Sequence, residues 1–322
     1  MLTKKRLVLL TILLTAIYYG PLLYWAVKVQ DIYIDSTIML AAKIGFLSVS
    51  AAITTSVVLI FIFKRDYIKA QWITFNRYRY LLLFMVKRDF LTRYRKNVLG
   101  ILWSLLNPLL TMLVMTMVFS LLFRFKIENY PVYFLSGLIM YSFFNEATSM
   151  AMTSIISGEN IIKKVYVPKY IFPLSKVSSA LTNLMFSFAA FLLVCIITGA
   201  PLRWTMLLTP IPIIYIFVFA LGVAMLMSAL AVFFRDIMHM YSVCLVLLMY
   251  LTPIIYPIDI LPERVKPFIG INPLYHFVEC FRDFVLRGII PDIWSNVVCI
   301  GFGMAALCCG VYVFMLKQDR FI

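Results

Sequence analysis

The sequence predicts an all-α polytopic membrane protein with about eight transmembrane helices. Hydrophobic residues make up 63% of the 322 positions and charged residues only 13%, too few to cover a water-soluble domain of this length. The apolar residues are also grouped into runs of the roughly 20 residues that a helix needs to cross a hydrocarbon core. Because backbone polar groups in lipid must bond within their own segment, each run is expected to be a helix.

Eight such runs follow one another along the chain. They cover residues 7–27, 38–63, 99–123, 132–156, 177–199, 206–234, 240–258 and 293–316. The first run follows the basic residues 4–6, as a cleaved signal peptide would, but it is long and ends without a small-residue cleavage pattern. We therefore predict that it is retained as a membrane helix.

The distribution of basic residues predicts the orientation. If both termini are cytoplasmic, most of the 29 basic residues fall on the cytoplasmic side, in agreement with the positive-inside rule. The net charge of +15 is then explained by topology and by contact with anionic membrane lipids. Nucleic acid is not an expected partner, because no soluble basic domain exists to bind it. We predict a multi-pass protein of the cytoplasmic (inner) membrane.

The stretch 83–98 joins a basic segment to the third apolar run without a turn cluster. Apolar side chains recur at helical spacing on one face: Leu83, Val86, Phe90, Tyr94 and Val98. Polar side chains lie opposite: Arg88, Thr92, Arg95 and Lys96. The pattern predicts an amphipathic helix in the inner membrane interface, acting either as a lipid anchor or as a lever on the span that follows. Gly100 is the place to bend, since glycine accepts unusual backbone angles.

The internal loop 157–176 predicts a short helix of about two turns. Ser157 or Gly158 can begin it, Glu159 lies near its positive end, and Pro168 bounds it. The helix would display Ile161, Ile162, Val165 and Tyr166 beside Lys163 and Lys164. Two interpretations are open: a solvated loop with interfacial anchors, or a docking helix for a soluble partner. Apolar side chains at the tip of an internal loop favour the partner.

The external segment 256–292 is too polar for a full span but is still rich in apolar side chains. Pro262 and Pro273 are each expected to begin a helix, since proline is tolerated in a first turn. One apolar face follows: Leu274, Phe277, Val278, Phe281 and Val285. We predict that the segment dips into the outer leaflet and returns. An amphipathic helix resting on the outer surface is the alternative.

Catalytic motifs are mostly absent from the sequence. No G-x-x-x-x-G-K-[ST] loop occurs, so the chain is not expected to bind ATP in the P-loop manner. The two histidines and six cysteines show no metal-ligand spacing. Asp31 and Asp35 could serve a membrane glycosyltransferase, although exposed aspartates in a short loop are commonly solvated. Glu146 lies inside an apolar run and is a functional candidate, or else a polar residue facing a cleft or a neighbouring helix.

Five fragments carry a resemblance to a known family. They are "RDFLTRYRKNVLGILWSLLNPLL" at 88–110, "NIIKKVYVPKYIFPLS" at 160–175, "FFRDIMHM" at 233–240, "PIIYPIDILPE" at 253–263 and "NPLYHFVECFRDFVL" at 272–286. In this order and spacing they resemble the transmembrane subunit of ABC-2 type ATP-driven exporters. The branch is the one that exports lipid-linked polysaccharides such as O-antigen, teichoic acid and capsule.

The resemblance implies an architecture and partners. A six-helix core, 79–322, would contain an interface helix at 80–98, a coupling loop at 157–173 and external re-entrant helices at 257–290. The interface helix would act through Arg88, Asp89, Arg93, Arg95 and Gly100. The coupling loop would dock through Ile161, Ile162, Lys163, Lys164, Val165 and Tyr166. Two copies of the chain would form the pore above two separate ATPase subunits, which would bind the ATP and magnesium, with no cofactor in this chain. Residues 1–78, two further helices and a basic linker, depart from the family pattern.

An exporter of sugar chains is expected to have aromatic side chains in its channel, because apolar sugar faces pack on rings while hydroxyls need hydrogen bonds. The channel candidates are Tyr141, Phe143, Phe144, Glu146, Tyr250 and Tyr256. Aromatic residues are also enriched at membrane interfaces without contacting any substrate. Export of small drugs or lipids is the main alternative function, followed by the glycosyltransferase.

Overall fold

The computed structural model describes residues 65–94, 100, 102–122, 127, 129–262 and 264–321. Several predictions lie outside these residues: the first two apolar runs, Asp31, Asp35, Arg95 and the end of the interface helix beyond Tyr94. The chain divides into two compact units, Met1–Arg79 and Tyr80–Ile322.

The described residues form helices, turns and loops, with no strand among them. The helices are α1 (Arg65–Tyr94), α2 (Leu102–Thr116), α3 (Tyr130–Met152), α4 (Ser154–Ser157), α5 (Glu159–Ile162), α6 (Ile171–Thr198), α7 (Pro210–Phe233), α8 (Ile237–Leu251), α9 (Lys266–Gly270), α10 (Pro273–Arg282) and α11 (Ile293–Lys317). Short π-helical segments continue α2 over Met117–Leu122 and α10 over Asp283–Arg287. The chain turns between α1 and α2 at Gly100, whose φ of 44° suits glycine.

Within the described residues, four helical segments are long and apolar enough to cross a membrane. They are Leu102–Phe119, Ile171–Thr198, Trp204–Phe233 and Ile293–Arg320, and α8 is apolar but shorter. α3, with 23 residues, is about 34 Å long but more polar. It lies at the centre of the bundle with 16 of its residues buried, so protein rather than lipid surrounds most of this helix.

α7 and α11 cross with their backbones in contact. A Cβ atom added to Gly310 would lie 2.0 Å from the Gly222 carbonyl oxygen, and one added to Gly222 would lie 2.3 Å from the Ala306 carbonyl carbon. Small residues permit this close approach. Since lipid provides no hydrophobic force that drives helices together, such close packing is a main source of their association. The two helices therefore form a tightly joined pair.

We expect Gly310→Ala to destabilise the protein by about 1–3 kcal/mol, because the added methyl group must push the two backbones apart. The measurement is thermal unfolding of the purified protein in detergent. Gly270→Ala is the matched control, since a Cβ there has no atom within 4 Å. Equal melting temperatures for the two variants would contradict the close crossing.

In the external segment, the prediction that a proline begins a helix is confirmed at Pro273 but not at Pro262. Pro273 begins α10, where the Asn272 side chain accepts a hydrogen bond from the Leu274 N–H at 3.0 Å. The prediction that Pro262 begins a helix was wrong. Its carbonyl instead closes a turn with the Val265 N–H at 2.8 Å, and the helix begins only at Lys266.

The predicted apolar face of α10 is buried throughout. Its members are Leu274, Phe277, Val278, Phe281 and Val285. Phe281 packs edge-on against Phe188 and Phe191 of α6, and Phe277 packs against Phe219 of α7. This face is therefore part of the protein core.

Candidate functional site

α1 is joined to the bundle first through Asp89. Its carboxylate accepts a hydrogen bond from Lys176 Nζ at 2.7 Å and a longer one from Ser179 Oγ at 3.4 Å, both on α6. Asp89 and Lys176 are each mostly buried, with side chains 11% and 16% exposed. A pair this sheltered is screened less by water and salt than a surface pair. The Asp89 pair therefore connects α1 to the beginning of α6.

One helical turn later, α1 makes a second connection. The Arg93 guanidinium forms an ion pair with the Glu146 carboxylate on α3, and Asn183 on α6 donates a hydrogen bond to the same carboxylate. Tyr94 donates to Asn183 Oδ1 at 2.9 Å. These four residues, the Glu146 cluster, link three helices. The hydrogen bonds to the Glu146 carboxylate are charge-assisted and roughly twice as strong as neutral ones.

These connections decide which face of α1 turns inward. Phe90 stacks on Phe186 with ring centroids 5.9 Å apart, as expected of an apolar face, and Tyr94 is buried. Leu83, assigned to the same face, is exposed, whereas Met85 is buried. The inward face is thus rotated from the predicted one because Asp89 and Arg93 find partners inside the bundle. Arg88 is exposed and lies 3.5 Å from Asp89.

A cavity of about 290 Å³ opens between α1, α2, α3 and α6, beside the Glu146 cluster. Its lining comprises Arg93, Tyr94, Trp103, Ser104, Asn107, Pro108, Thr111, Leu138, Ser142, Glu146, Asn183 and Ser187. Most of these side chains carry a hydrogen-bonding group. Ser142 is the one exposed residue of α3. Glu146 therefore faces both a cleft and neighbouring helices.

The short helix predicted in the internal loop is present as α5, and its docking role stays a prediction. The Val165 N–H donates to the Ile161 carbonyl at 3.0 Å, which extends the helical turn of Glu159–Ile162 into a second turn. Ile161 and Ile162 are half-exposed. The remaining predicted docking residues are exposed: Lys163, Lys164, Val165 and Tyr166. The Lys163 ammonium, hydrogen-bonded to Glu159, lowers the pKa of that carboxyl below its ordinary value.

The chain around α5 is held at two points. A Cβ atom on Gly158 would lie 2.5 Å from the Phe172 ring, so only glycine permits this approach. Lys169 Nζ donates to the Gln318 carbonyl at 2.6 Å, beyond the end of α11. Phe321, also near the C-terminus, is buried edge-on against Phe314 with ring centroids 5.2 Å apart. The loop around α5 is therefore attached to α6 and to the end of α11.

At the opposite end of the bundle, Arg282 of α10 is almost completely buried, with 1% exposure. Its Nη1 atom donates to the Pro253 carbonyl at 2.8 Å, to the Tyr133 hydroxyl at 3.0 Å and to Glu279 Oε1 at 3.0 Å. Its guanidinium lies 3.7 Å from the Tyr133 ring centroid, a cation–π distance. Arg282 thus joins α10, α3 and the segment after α8. Burial raises the pKa of Glu279, but Arg282 and Arg287 outweigh it and the net shift is downward.

Comparison with known proteins identifies the family. The family model described as ABC-2 type transporter matches residues 80–286, more than half of the chain. The chain belongs to the ABC-2 type transporter family.

The relatives of this ABC-2 chain are named as export or transport proteins for polysaccharides. It is 32% identical over 245 residues to the O-antigen export system permease protein RfbA of Klebsiella pneumoniae, covering 75% of this chain and 93% of the relative. It is 26% identical over 247 residues to RfbA of Myxococcus xanthus, covering 76% and 95%. It is 21% identical over 251 residues to the polysialic acid transport protein KpsM of Escherichia coli, covering 73% and 92%.

The structure separates the aromatic channel candidates of this ABC-2 chain into two groups. Tyr141, Phe143 and Phe144 are buried in the core. The Tyr141 hydroxyl donates to the Leu245 carbonyl at 2.7 Å. Tyr250 is exposed near the end of α8, and the Tyr256 hydroxyl donates to its carbonyl at 2.7 Å. Among all six channel candidates, only Glu146 lines the cavity, and a channel role for all six stays a prediction.

Sequence reasoning missed three parts of the site: Arg282, the partners of Asp89 and Arg93, and the contact of the C-terminal segment with the loop around α5. Arg282 carried a signal that could have been used. It is a cation inside a stretch whose apolar residues recur at helical spacing, next to the buried Phe281. A charge at such a position is either exposed by a turn of the helix or buried with partners.

Proposed function

We propose that this chain is the membrane-spanning permease subunit of an ATP-driven exporter. Its substrate would be a lipid-linked polysaccharide or a related cell-envelope glycopolymer, moved outward across the cytoplasmic membrane. The observation that carries this proposal is the similarity to O-antigen export permeases over 75% of the chain. Both termini and α5 would be cytoplasmic, and α10 would lie on the external side.

The energy would come from two separate ATPase subunits, which bind ATP and magnesium. The sequence supports this because it contains no P-loop. α5 supports it as well, since it presents exposed apolar and basic side chains at a turn that is attached to α6 and α11. Nucleotide-driven closure of the ATPases would push α5, and α1 would shift with α3 and α6 through the Asp89 pair and the Glu146 cluster.

A second copy of the chain would complete the pore. α2 has no buried residue in the structure, and α8 has two, Tyr241 and Leu245. Their exposed apolar side chains include Leu102, Leu110, Leu113, Val114, Met240, Val243, Val246 and Leu247. These helices therefore offer apolar surface for a homodimer. Tyr250, exposed on α8, would then lie near the channel between the two copies.

The relatives favour a glycan over small drugs or lipids as the substrate, although the same architecture could serve all three. A glycosyltransferase activity through Asp31 and Asp35 has no support from the family, whose members are transporters. ATP-dependent appearance of glycan outside vesicles containing the chain and its ATPase partner is the direct test.

We expect Lys163→Glu with Lys164→Glu to weaken association with the ATPase subunit by about tenfold, because each reversal replaces an exposed cation at the docking turn. The measurement is the amount of ATPase that co-purifies with the permease. Arg264→Glu with Lys266→Glu, a double reversal in the external segment, is the matched control.

Two results would contradict the proposed division of labour. One is an equal loss of the ATPase in both double variants. The other is ATP hydrolysis by the purified chain in the absence of an ATPase subunit.

A further inference from the structure

The cavity beside the Glu146 cluster has a composition unusual for a membrane helix bundle. Its lining carries four serine or threonine hydroxyls, two asparagine amides, a phenol and an indole: Ser104, Thr111, Ser142, Ser187, Asn107, Asn183, Tyr94 and Trp103. Polar side chains facing each other at membrane depth are costly unless they serve each other, water or a ligand. Ser142 is informative because it is the one exposed residue of an otherwise protected helix.

The charge of the cavity is balanced. Arg93 and Glu146 are its two charged residues, and they pair with each other. A phosphate bound there would place negative charge beside Glu146 with no cation left to neutralise it. A neutral ligand meets no such cost. The lining therefore favours a neutral, hydrogen-bonding group over an anionic headgroup.

The remaining groups fit a polyhydroxylated ring. The side-chain amide of Asn107 offers both a donor and an acceptor, as does the hydroxyl of Ser187, which suits adjacent sugar hydroxyls. The Trp103 indole provides an apolar ring surface of the kind that packs on the face of a sugar. The volume of about 290 Å³ is just below the roughly 300–1,000 Å³ typical of ligand pockets, which suits one ring rather than a chain.

We propose that this cavity, which residues of one protomer line, binds a single neutral sugar ring of the glycan. The inference rests on the proposed export function, because it takes the exported glycan as the source of the sugar. The bound ring would contact the Glu146 cluster, which joins α1 to α3 and α6. A sugar in the cavity would therefore directly contact the residues that attach α1, the helix proposed to move when the ATPases close.

The test uses the full chain with its ATPase subunits in lipid nanodiscs and a photoreactive octyl β-D-glucoside whose diazirine lies next to the sugar. Labelled peptides are mapped by mass spectrometry. We expect labelling of peptides that line the cavity, and we expect free octyl β-D-glucoside, but not octyl phosphate, to compete with it. Equal competition by octyl phosphate, or no labelling of lining peptides, would overturn the proposal.

Variants of α6 provide the matched comparison. Ser187→Leu fills the cavity and is expected to reduce the labelling of lining peptides at least about tenfold, because it removes both space and a hydroxyl. Ala189→Leu adds the same side chain at an exposed position outside the lining and should leave labelling unchanged. Ser142→Leu fills the cavity from α3 if the first variant folds poorly. Equal labelling in the filled variants and the control would overturn the sugar site.

ATP-dependent glycan export, measured on vesicles with the same complex, distinguishes this proposal from the one on which it rests. Export with no cavity labelling overturns the sugar site and leaves the export function in place. Specific labelling with no ATP-dependent export of glycan overturns the export function and with it the glycan as the source of the sugar.

Discussion

Replacing Arg282 with methionine is expected to destabilise the permease by about 3–5 kcal/mol, the usual effect of removing one partner of a buried ion pair. Methionine keeps much of the length and apolar stem of arginine but none of its donors. The Pro253 carbonyl and the Tyr133 hydroxyl would each lose a partner, and the Glu279 carboxylate would lose one of its two arginines.

Thermal unfolding of the detergent-purified protein measures the effect. Arg264→Met, an exposed cation in the same external segment, is the matched control and should change the melting temperature little. Arg282→Lys should fall between the two, because lysine keeps the charge but cannot make the planar array of contacts that arginine makes. If Arg282→Met and Arg264→Met unfold at the same temperature, the buried arginine is not a structural hub.

The external segment around Arg282 shows which structural features the sequence predicts. Helical spacing of apolar residues correctly predicted the buried face of α10, and Pro273 correctly predicted where that helix begins. Local rules suffice for both, because they concern residues a few positions apart. The same rules predicted a helix at Pro262, where a turn with Val265 forms instead.

The contacts of charged residues could not be predicted in this way. Arg282 and Tyr133 are 149 positions apart, and Arg93 and Glu146 are 53 positions apart. Which charges meet depends on how α3, α6 and α10 pack, and no local pattern records that. The difference between the predicted and the observed inward face of α1 has the same origin. Asp89 faces inward because its partners, Lys176 and Ser179, lie on α6, and this orientation leaves Leu83 exposed.

The last prediction separates a lever from a lipid anchor in α1. Arg88 and Arg93 are cations on the same helix, five positions apart, but only Arg93 pairs with a residue of the central helix, Glu146. If α1 is a lever, Arg93→Glu should reduce export per ATP hydrolysed by about tenfold, equivalent to about 1.4 kcal/mol of lost coupling. Membrane insertion and ATPase association should stay near normal, because the docking residues of α5 are untouched.

Arg88→Glu is the matched control. It reverses a charge of the same sign on the same helix and removes only the exposed 3.5 Å contact with Asp89, leaving the Glu146 cluster and the Lys176–Asp89 hydrogen bond in place. Export per ATP should therefore stay within about twofold of the original protein. The double variant Arg93→Glu with Glu146→Arg restores opposite charges at the two positions, and the cycle of single and double variants isolates their interaction. A lever predicts recovery of export in the double variant.

An anchor predicts a different pattern, because membrane affinity depends on the charge of α1 and not on its partner in α3. Arg88→Glu and Arg93→Glu would then lower membrane insertion to a similar extent, and Glu146→Arg would not compensate for either change. The measurements are ATP turnover, glycan release and the quantity of inserted permease on the same reconstituted vesicles. Export that falls in strict proportion to inserted protein in every variant would reject the lever. Loss of export per ATP in Arg93→Glu alone, with recovery in the charge swap, would establish that α1 transmits force through Glu146.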